Sequence, residues 1–375
     1  MKRNGVNFMA ELVQTKSKFK LIGKVTRIDK DGAYKEGVAE KGKRQGDLFR
    51  SLRFGVKTSD SNEIFVSMYD YEPNEVFLWN THKKEKDSNY KGDRMPFETW
   101  EDQKAELREQ GYSCLQTRVG VMYDEEGKLI SNGETGFVAS EMIYNNIDNG
   151  DSVLIEGEMR HSTFVNRQGE TVPQTTYTIK KLYKIKDIDF ESEKFEEVTY
   201  FEQEMVFVGQ DIDKKEGKMY VMGRTIDYQQ NYQDTQFVVN FKNEDGTLDN
   251  DMVKFADAIK KRIKFGDVIN VFGDVLNRAV VKEVEQDDKE EDNIFAEFGG
   301  RAKPKHAESY TAKTYISELS INGLDAHDAG VYTEEDFVDN SVVEDTSKVS
   351  EEFGGKGKNP FSNDSDEIDE DDLPF

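Results

Sequence analysis

The feature that most constrains this fold is an internal repeat. Residues 149–159 read Asn-Gly-Asp-Ser-Val-Leu-Ile-Glu-Gly-Glu-Met, and residues 265–275 read Phe-Gly-Asp-Val-Ile-Asn-Val-Phe-Gly-Asp-Val. Each copy has Gly-Asp, five mostly apolar residues, then Gly followed by an acid. A helix-like stretch precedes each: Phe137 to Ile147, and Asp251 to Ile263, where Phe255, Ile259 and Ile263 fall at i, i+4 and i+8. A strand-like stretch follows each, over Tyr177 to Asp187 and Thr311 to Ile321. Upstream, Lys20-Leu21-Ile22-Gly23 aligns with Val206-Phe207-Val208-Gly209. One unit of three strands, a helix and two strands therefore occurs twice.

That order is the order of a five-stranded OB barrel with a helix between strands three and four. The expected fold class is mainly β: two tandem OB-like five-stranded barrels with insertions, plus a disordered acidic C-terminal tail. The first domain is expected over residues 1–190, with a helical insertion at about 80–135 whose charged, Gly-free stretch 98–110 reads as a surface helix. The second is expected over 198–323, opened by an insertion at about 287–308. From Leu324 to Phe375 the aliphatic periodicity is lost, and the chain reads as disordered.

Charge is divided unevenly along the 375 residues. The net charge is -25, yet residues 1–60 carry fifteen Lys and Arg against seven acids, about +8. Residues 334–375 carry fifteen acids against three lysines, about -12. A basic surface at one end and an acidic interaction tail at the other is the reading this asymmetry supports. No apolar run approaches the ~18 residues of a membrane span, so no membrane partner is expected. The start of the chain lacks the apolar core of a secretory signal, and the single Cys114 excludes an intramolecular disulfide. A reducing cytoplasm, in a bacterial cell or a phage-infected host, fits these features.

The chain ends Asp369-Glu370-Asp371-Asp372-Leu373-Pro374-Phe375. An acidic run ending in an apolar residue, Pro and a terminal Phe suits a pocket with a basic rim, where the ring buries apolar area and the α-carboxylate meets an Arg. These residues resemble the acidic tip of the bacterial and phage single-stranded DNA-binding proteins. The doubled unit and the long insertions look like a phage or mobile-element version. The resemblance implies that the tip recruits helicase, primase, polymerase, recombination mediator or nuclease partners during DNA replication, recombination or repair. The long chain and the second barrel depart from the single-barrel bacterial members.

Alternation places the expected DNA surface. In the hairpin around Thr58 to Asn62, Leu52, Phe54, Val56, Ile64, Val66 and Met68 point inward, leaving Arg53, Lys57, Phe65 and Tyr69 outward. Two exposed aromatics beside two cations make a base-stacking platform with phosphate contacts. Arg50, Tyr71 and Trp79, just outside these strands, extend the track. Arg160, His161, Phe164 and Arg167 form a basic loop in the hairpin after Gly157, and Tyr220, Arg224 and Tyr228 share one face of the second unit. Met222 and Ile226 lie on that same face and leave open whether it is the core side.

No phosphate loop and no nucleophile elbow occurs, and the four His are isolated from one another and from Cys114. No catalytic residue, metal site or cofactor is expected. Binding to single-stranded DNA is the expected function; RNA is a variant of it, and an adaptor whose barrels bind protein is the main rival. A homo-oligomer and a monomer are equally compatible with the sequence.

Overall fold

The computed structural model describes residues 11–166, 168–243, 246–283 and 311–337. In chain order the first unit contains β1 (Ser17–Thr26), β2 (Tyr34–Val38), β3 (Leu48–Lys57) and β4 (Glu63–Tyr71). Next come β5 (Glu75–Asn80), α1 (Thr81–Lys86), β6 (Asp93–Pro96), α2 (Phe97–Glu109), β7 (Tyr112–Cys114), β8 (Thr117–Tyr123) and β9 (Leu129–Glu134). The unit ends with α3 (Gly136–Asn146), β10 (Ser152–Val165) and β11 (Thr171–Lys184). The second unit comprises β12 (Val198–Asp213), β13 (Lys218–Ile226), β14 (Tyr232–Asn240), α4 (Asn250–Arg262), β15 (Val268–Glu283) and β16 (Thr311–Asp328).

Backbone pairing closes two rings. In the first, β1 pairs β3, β3 pairs β4, β4 runs parallel to β11, β11 pairs β10, and β10 returns to β1. In the second, β12, β13, β14, β16 and β15 close in the same order, and the β14–β16 step is again parallel. The protein is mainly β, and these circuits are compatible with OB-like folds. Alternating apolar residues fill them: Phe19, Leu21, Leu52, Phe54, Ile64 and Val66 in the first, Phe201, Met205, Met219, Val221 and Phe237 in the second.

The repeated motif has a specific structural task. Gly150 and Gly266 adopt φ of 90° and 84°, the left-handed region that glycine occupies at low cost. The following carboxylates accept backbone N–H groups three residues back, Asp151 from Asp148 (2.8 Å) and Asp267 from Lys264 (2.9 Å). Gly150 N–H donates to Val25 O (2.8 Å), and Gly266 N–H donates to Phe207 O (3.0 Å). The later glycines mark register shifts, where a Cβ on Gly157 would strike Thr178 O and one on Gly273 would strike Ser320 O.

These bonds correct the upstream alignment. They equate Val25 with Phe207, and so Phe19 with Phe201, rather than Gly23 with Gly209. β1 and β12 pair antiparallel from Ser17↔Gln203 to Ile22↔Val198, and Phe19 lies opposite its own counterpart Phe201. The two units thus meet about a pseudo-twofold axis, and their interiors merge into one apolar cluster.

Two expected boundaries shift. The insertion is not merely helical: β5, β6 and β7 form a three-stranded sheet, and β8 pairs in parallel with β11. Its helix α2 is not only a surface helix, for Trp100 is fully buried with Val76, Leu78 and Phe97. At the other end, Leu324 lies inside β16, and Tyr332 and Phe337 are buried, so residues 324–337 belong to the second unit rather than to the tail. Aliphatic periodicity missed them because two aromatics, not a repeating stripe, anchor the segment. The insertion at 287–308 and the tail beyond 337 lie outside the described residues.

Candidate nucleic-acid interface

The outer face of β3 and β4 gathers an aromatic and cationic cluster. Phe49, Ser51, Arg53, Gly55 and Lys57 lie opposite Tyr71, Tyr69, Ser67, Phe65 and Glu63 across the antiparallel ladder. Phe49 stacks on Tyr69 at 5.4 Å between ring centroids, and Tyr69 meets Tyr71 edge to face at 5.3 Å. The guanidinium of Arg53 sits over the Phe65 ring at 5.1 Å, that of Arg27 over the same ring at 5.3 Å, and that of Arg44 over Tyr71 at 4.4 Å. All lie within reach of a cation–π attraction. Burial pushes the Arg53 guanidinium below its ordinary value, yet an arginine stays charged at neutral pH.

Arg53, Phe65, Tyr69 and Tyr71 are therefore brought together as expected, with Lys57 at the turn end, 3.5 Å from Asp60 Oδ1. Phe49, Arg27 and Arg44 were not singled out from the sequence. Phe49 was legible, because the alternation through Arg53 and Ser51 reaches it two residues further on. Arg27 and Arg44 come from loops, where alternation gives no direction.

Three expected contacts are corrected. Arg50 belongs to the opposite face of β3: its Nε donates to Glu36 Oε2 (2.6 Å), its Nη1 pairs with Glu141 Oε2 (2.9 Å), and its plane lies 4.0 Å from the Phe137 ring. It fastens α3 to the barrel end. Trp79 sits in the insertion sheet beside Tyr90 at 5.4 Å, away from β3 and β4. Arg224 donates from Nε and Nη2 to both carboxylate oxygens of Asp234 (2.6 and 2.8 Å) and is sandwiched by Tyr232 at 4.4 Å and Phe337 at 4.5 Å. Its face is outward, since Met219 and Val221 fill the core, but the segment ending at Phe337 covers it.

The remaining candidates scatter. Tyr220 is on the same outer face, and its hydroxyl donates to Glu216 Oε2 (2.8 Å), which pushes the phenol up to about 12. Tyr228 is 75% exposed in the β13–β14 turn. Arg160 is exposed on β10, and Phe164 is half-buried further along that strand. His161 adds no charge: burial drives its imidazole down to about 4. Gln203 Nε2 donates to two backbone carbonyls, so its Oε1 accepts from His161 Nε2 (3.1 Å), while His161 Nδ1 accepts from Thr175 Oγ1 (3.0 Å). Arg167 and the tip Asp369 to Phe375 lie outside the described residues.

Between the units, the β10–β11 hairpin and the β13–β14 turn flank a cleft of about 460 Å³. Among the described residues no group of three or more His, Cys, Asp or Glu is placed to hold a metal, and no helix is long and apolar enough to cross a membrane.

The chain belongs to the YorF family, whose model matches residues 16–355. No curated protein matches it. Among solved structures, the wild-type single-stranded DNA binding protein from Thermus aquaticus is 12% identical, with 71% of this chain and 87% of that chain covered at a TM-score of 0.31. A deletion mutant of the same protein is 10% identical, covers 70% and 88%, and reaches a TM-score of 0.33.

Proposed function

We propose that this protein is a single-stranded DNA-binding protein built from two tandem OB-type barrels, and that it coats and protects unpaired strands during replication or recombination. The observation that carries this reading is the outer face of β3 and β4, where Phe49, Phe65, Tyr69 and Tyr71 lie beside Arg27, Arg44 and Arg53. Arginines over aromatic rings offer flat π-surfaces to successive bases and positive charge to the backbone between them. A duplex cannot use the rings, because its bases are already stacked.

The protein acts by binding rather than by catalysis, and it works in the cytoplasm of a bacterial or phage-infected cell. The tip Asp369 to Phe375 recruits a replication or recombination enzyme through its terminal Phe and carboxylates. These assignments rest on the sequence, as does a phage-type origin.

The test is a fluorescence-anisotropy titration of labelled oligo-dT at low and high salt, with duplex and RNA competitors. Tight, salt-sensitive binding to single strands is the expected result. One observation favours a second reading, an adaptor whose barrels bind protein: Arg27, over Phe65, is also paired with Glu63 (Nε to Oε1, 3.3 Å), which lowers the net charge of the face. Absence of binding to single strands at low salt would favour it.

A further inference from the structure

The pseudo-twofold axis makes two junctions between an arm of one unit and a turn of the other, and they differ. Both turns have five residues and end in asparagine, Asn62 before Glu63 and Asn231 before Tyr232. At the first junction Asn62 is buried and crosses to the β15 arm. Its Nδ2 donates to Val275 O (3.1 Å), and its Oδ1 accepts Asn277 N–H (2.7 Å). By the spacing of Gly157 and Gly273, the counterpart of Asn277 at the second junction is His161. There Asn231 stays within its own turn, with Nδ2 donating to Asp227 Oδ2 (3.2 Å), and the cleft of about 460 Å³ opens between turn and arm. Packing does not force this opening, since the same pair of elements closes on the other side of the axis.

The cleft continues the aromatic face. Ser67, between Phe65 and Tyr69 on β4, pairs with Thr178 of β11, and Thr178 pairs with Glu158 of β10. Thr178, Glu158 and Arg160 all line the cleft. Two strand spacings, roughly 10 Å, separate β4 from β10 across this surface. The charges in the lining balance, Lys16 and Arg160 against Glu158 and Asp227, so a phosphate gains little there. Hydroxyls and the exposed Tyr228 ring are what the lining adds. The volume falls within the roughly 300–1,000 Å³ of small-molecule sites.

We propose that this cleft receives an unpaired nucleobase from a strand lying across the β3–β4 face, with Tyr228 as its stacking partner; the proposal rests on the single-strand-binding reading above. The experiment uses the full chain and oligo-dT carrying one 5-iodouracil, photocrosslinked and mapped by mass spectrometry, alongside anisotropy titration of Tyr228→Ala. The expected result is a crosslink at Tyr228 in addition to crosslinks on β3 or β4, with affinity for oligo-dT lowered about fivefold or more in the variant. Crosslinks confined to β3 and β4, with Tyr228→Ala binding as tightly as wild type, would overturn the cleft assignment and leave the binding face standing. No crosslink and no binding at low salt would overturn both. Tyr228 is exposed in a turn, so its truncation leaves the core intact.

Discussion

Phe65 and Arg50 are separated by fifteen residues and take opposite roles. Phe65→Ala is expected to lose a stacking surface worth about 1–3 kcal/mol of single-strand affinity while leaving the thermal midpoint nearly unchanged. Paired anisotropy and melting measurements check both halves. Arg50→Ala is expected to do the reverse: it leaves Glu36, Glu141 and the Phe137 ring without their shared cation, at a cost of about 1–3 kcal/mol of stability, with little effect on DNA affinity. Alternation sorted Phe65 correctly because its neighbours in the hairpin fix its face. Arg50 shares the parity of Leu52 and Phe54, so the same period turns it away from that face. What alternation does not record is its partners, which arrive from a different strand and from a helix about ninety residues away. His161 makes a pH prediction. Its imidazole falls from 6.5 to about 4 on folding, so the unfolded chain binds the extra proton first and stability declines as pH drops from about 6.5 toward 4. In a His161→Gln variant, the fall in melting temperature between pH 7 and pH 5 should be smaller than in wild type.

Among the elements, the segment after β16 carries the clearest consequence. Tyr332 and Phe337 pack with Leu12, Val206 and Ile226, Tyr232 hydroxyl donates to Phe337 O (2.8 Å), and Val13 N–H donates to Tyr332 hydroxyl (3.1 Å). A chain ending after residue 337 should keep the full melting temperature. One ending after 328, which keeps β16 whole, should melt several degrees lower, because removing two buried aromatics costs about 3–5 kcal/mol each at most. Equal melting of the two truncations would show that the segment contributes nothing. Helices α2, α3 and α4 were legible from their sequence while the short α1 was not; in the structure Thr135 Oγ1 accepts Val138 N–H at the start of α3, and Asp249 Oδ1 accepts Met252 N–H at the start of α4. The aromatic strap was not legible, since its two anchors follow neither a helical nor a strand period.

For the whole molecule, the six residue pairs of β1 with β12 and the shared apolar cluster couple the two units. Calorimetry should show a single unfolding transition; two well-separated ones would mean that the rings fold independently. Single-strand binding should weaken with salt at about -0.7 in log K per log salt for each phosphate neutralised, so the few cations of the β3–β4 face imply a slope of roughly -2 to -3. The sequence by itself determined the repeated unit, the placement of its helices, and the inward and outward sides of the β3–β4 hairpin. These are local properties: glycines that permit a left-handed turn or a close approach, and a side-chain period of two along a strand. Only the tertiary structure decided that Arg224 is held between Tyr232 and Phe337, that Arg50 fastens a helix, and that one of two equivalent junctions stays open as a cleft. In each case at least one deciding partner lies tens to more than a hundred residues away, and no local period records it.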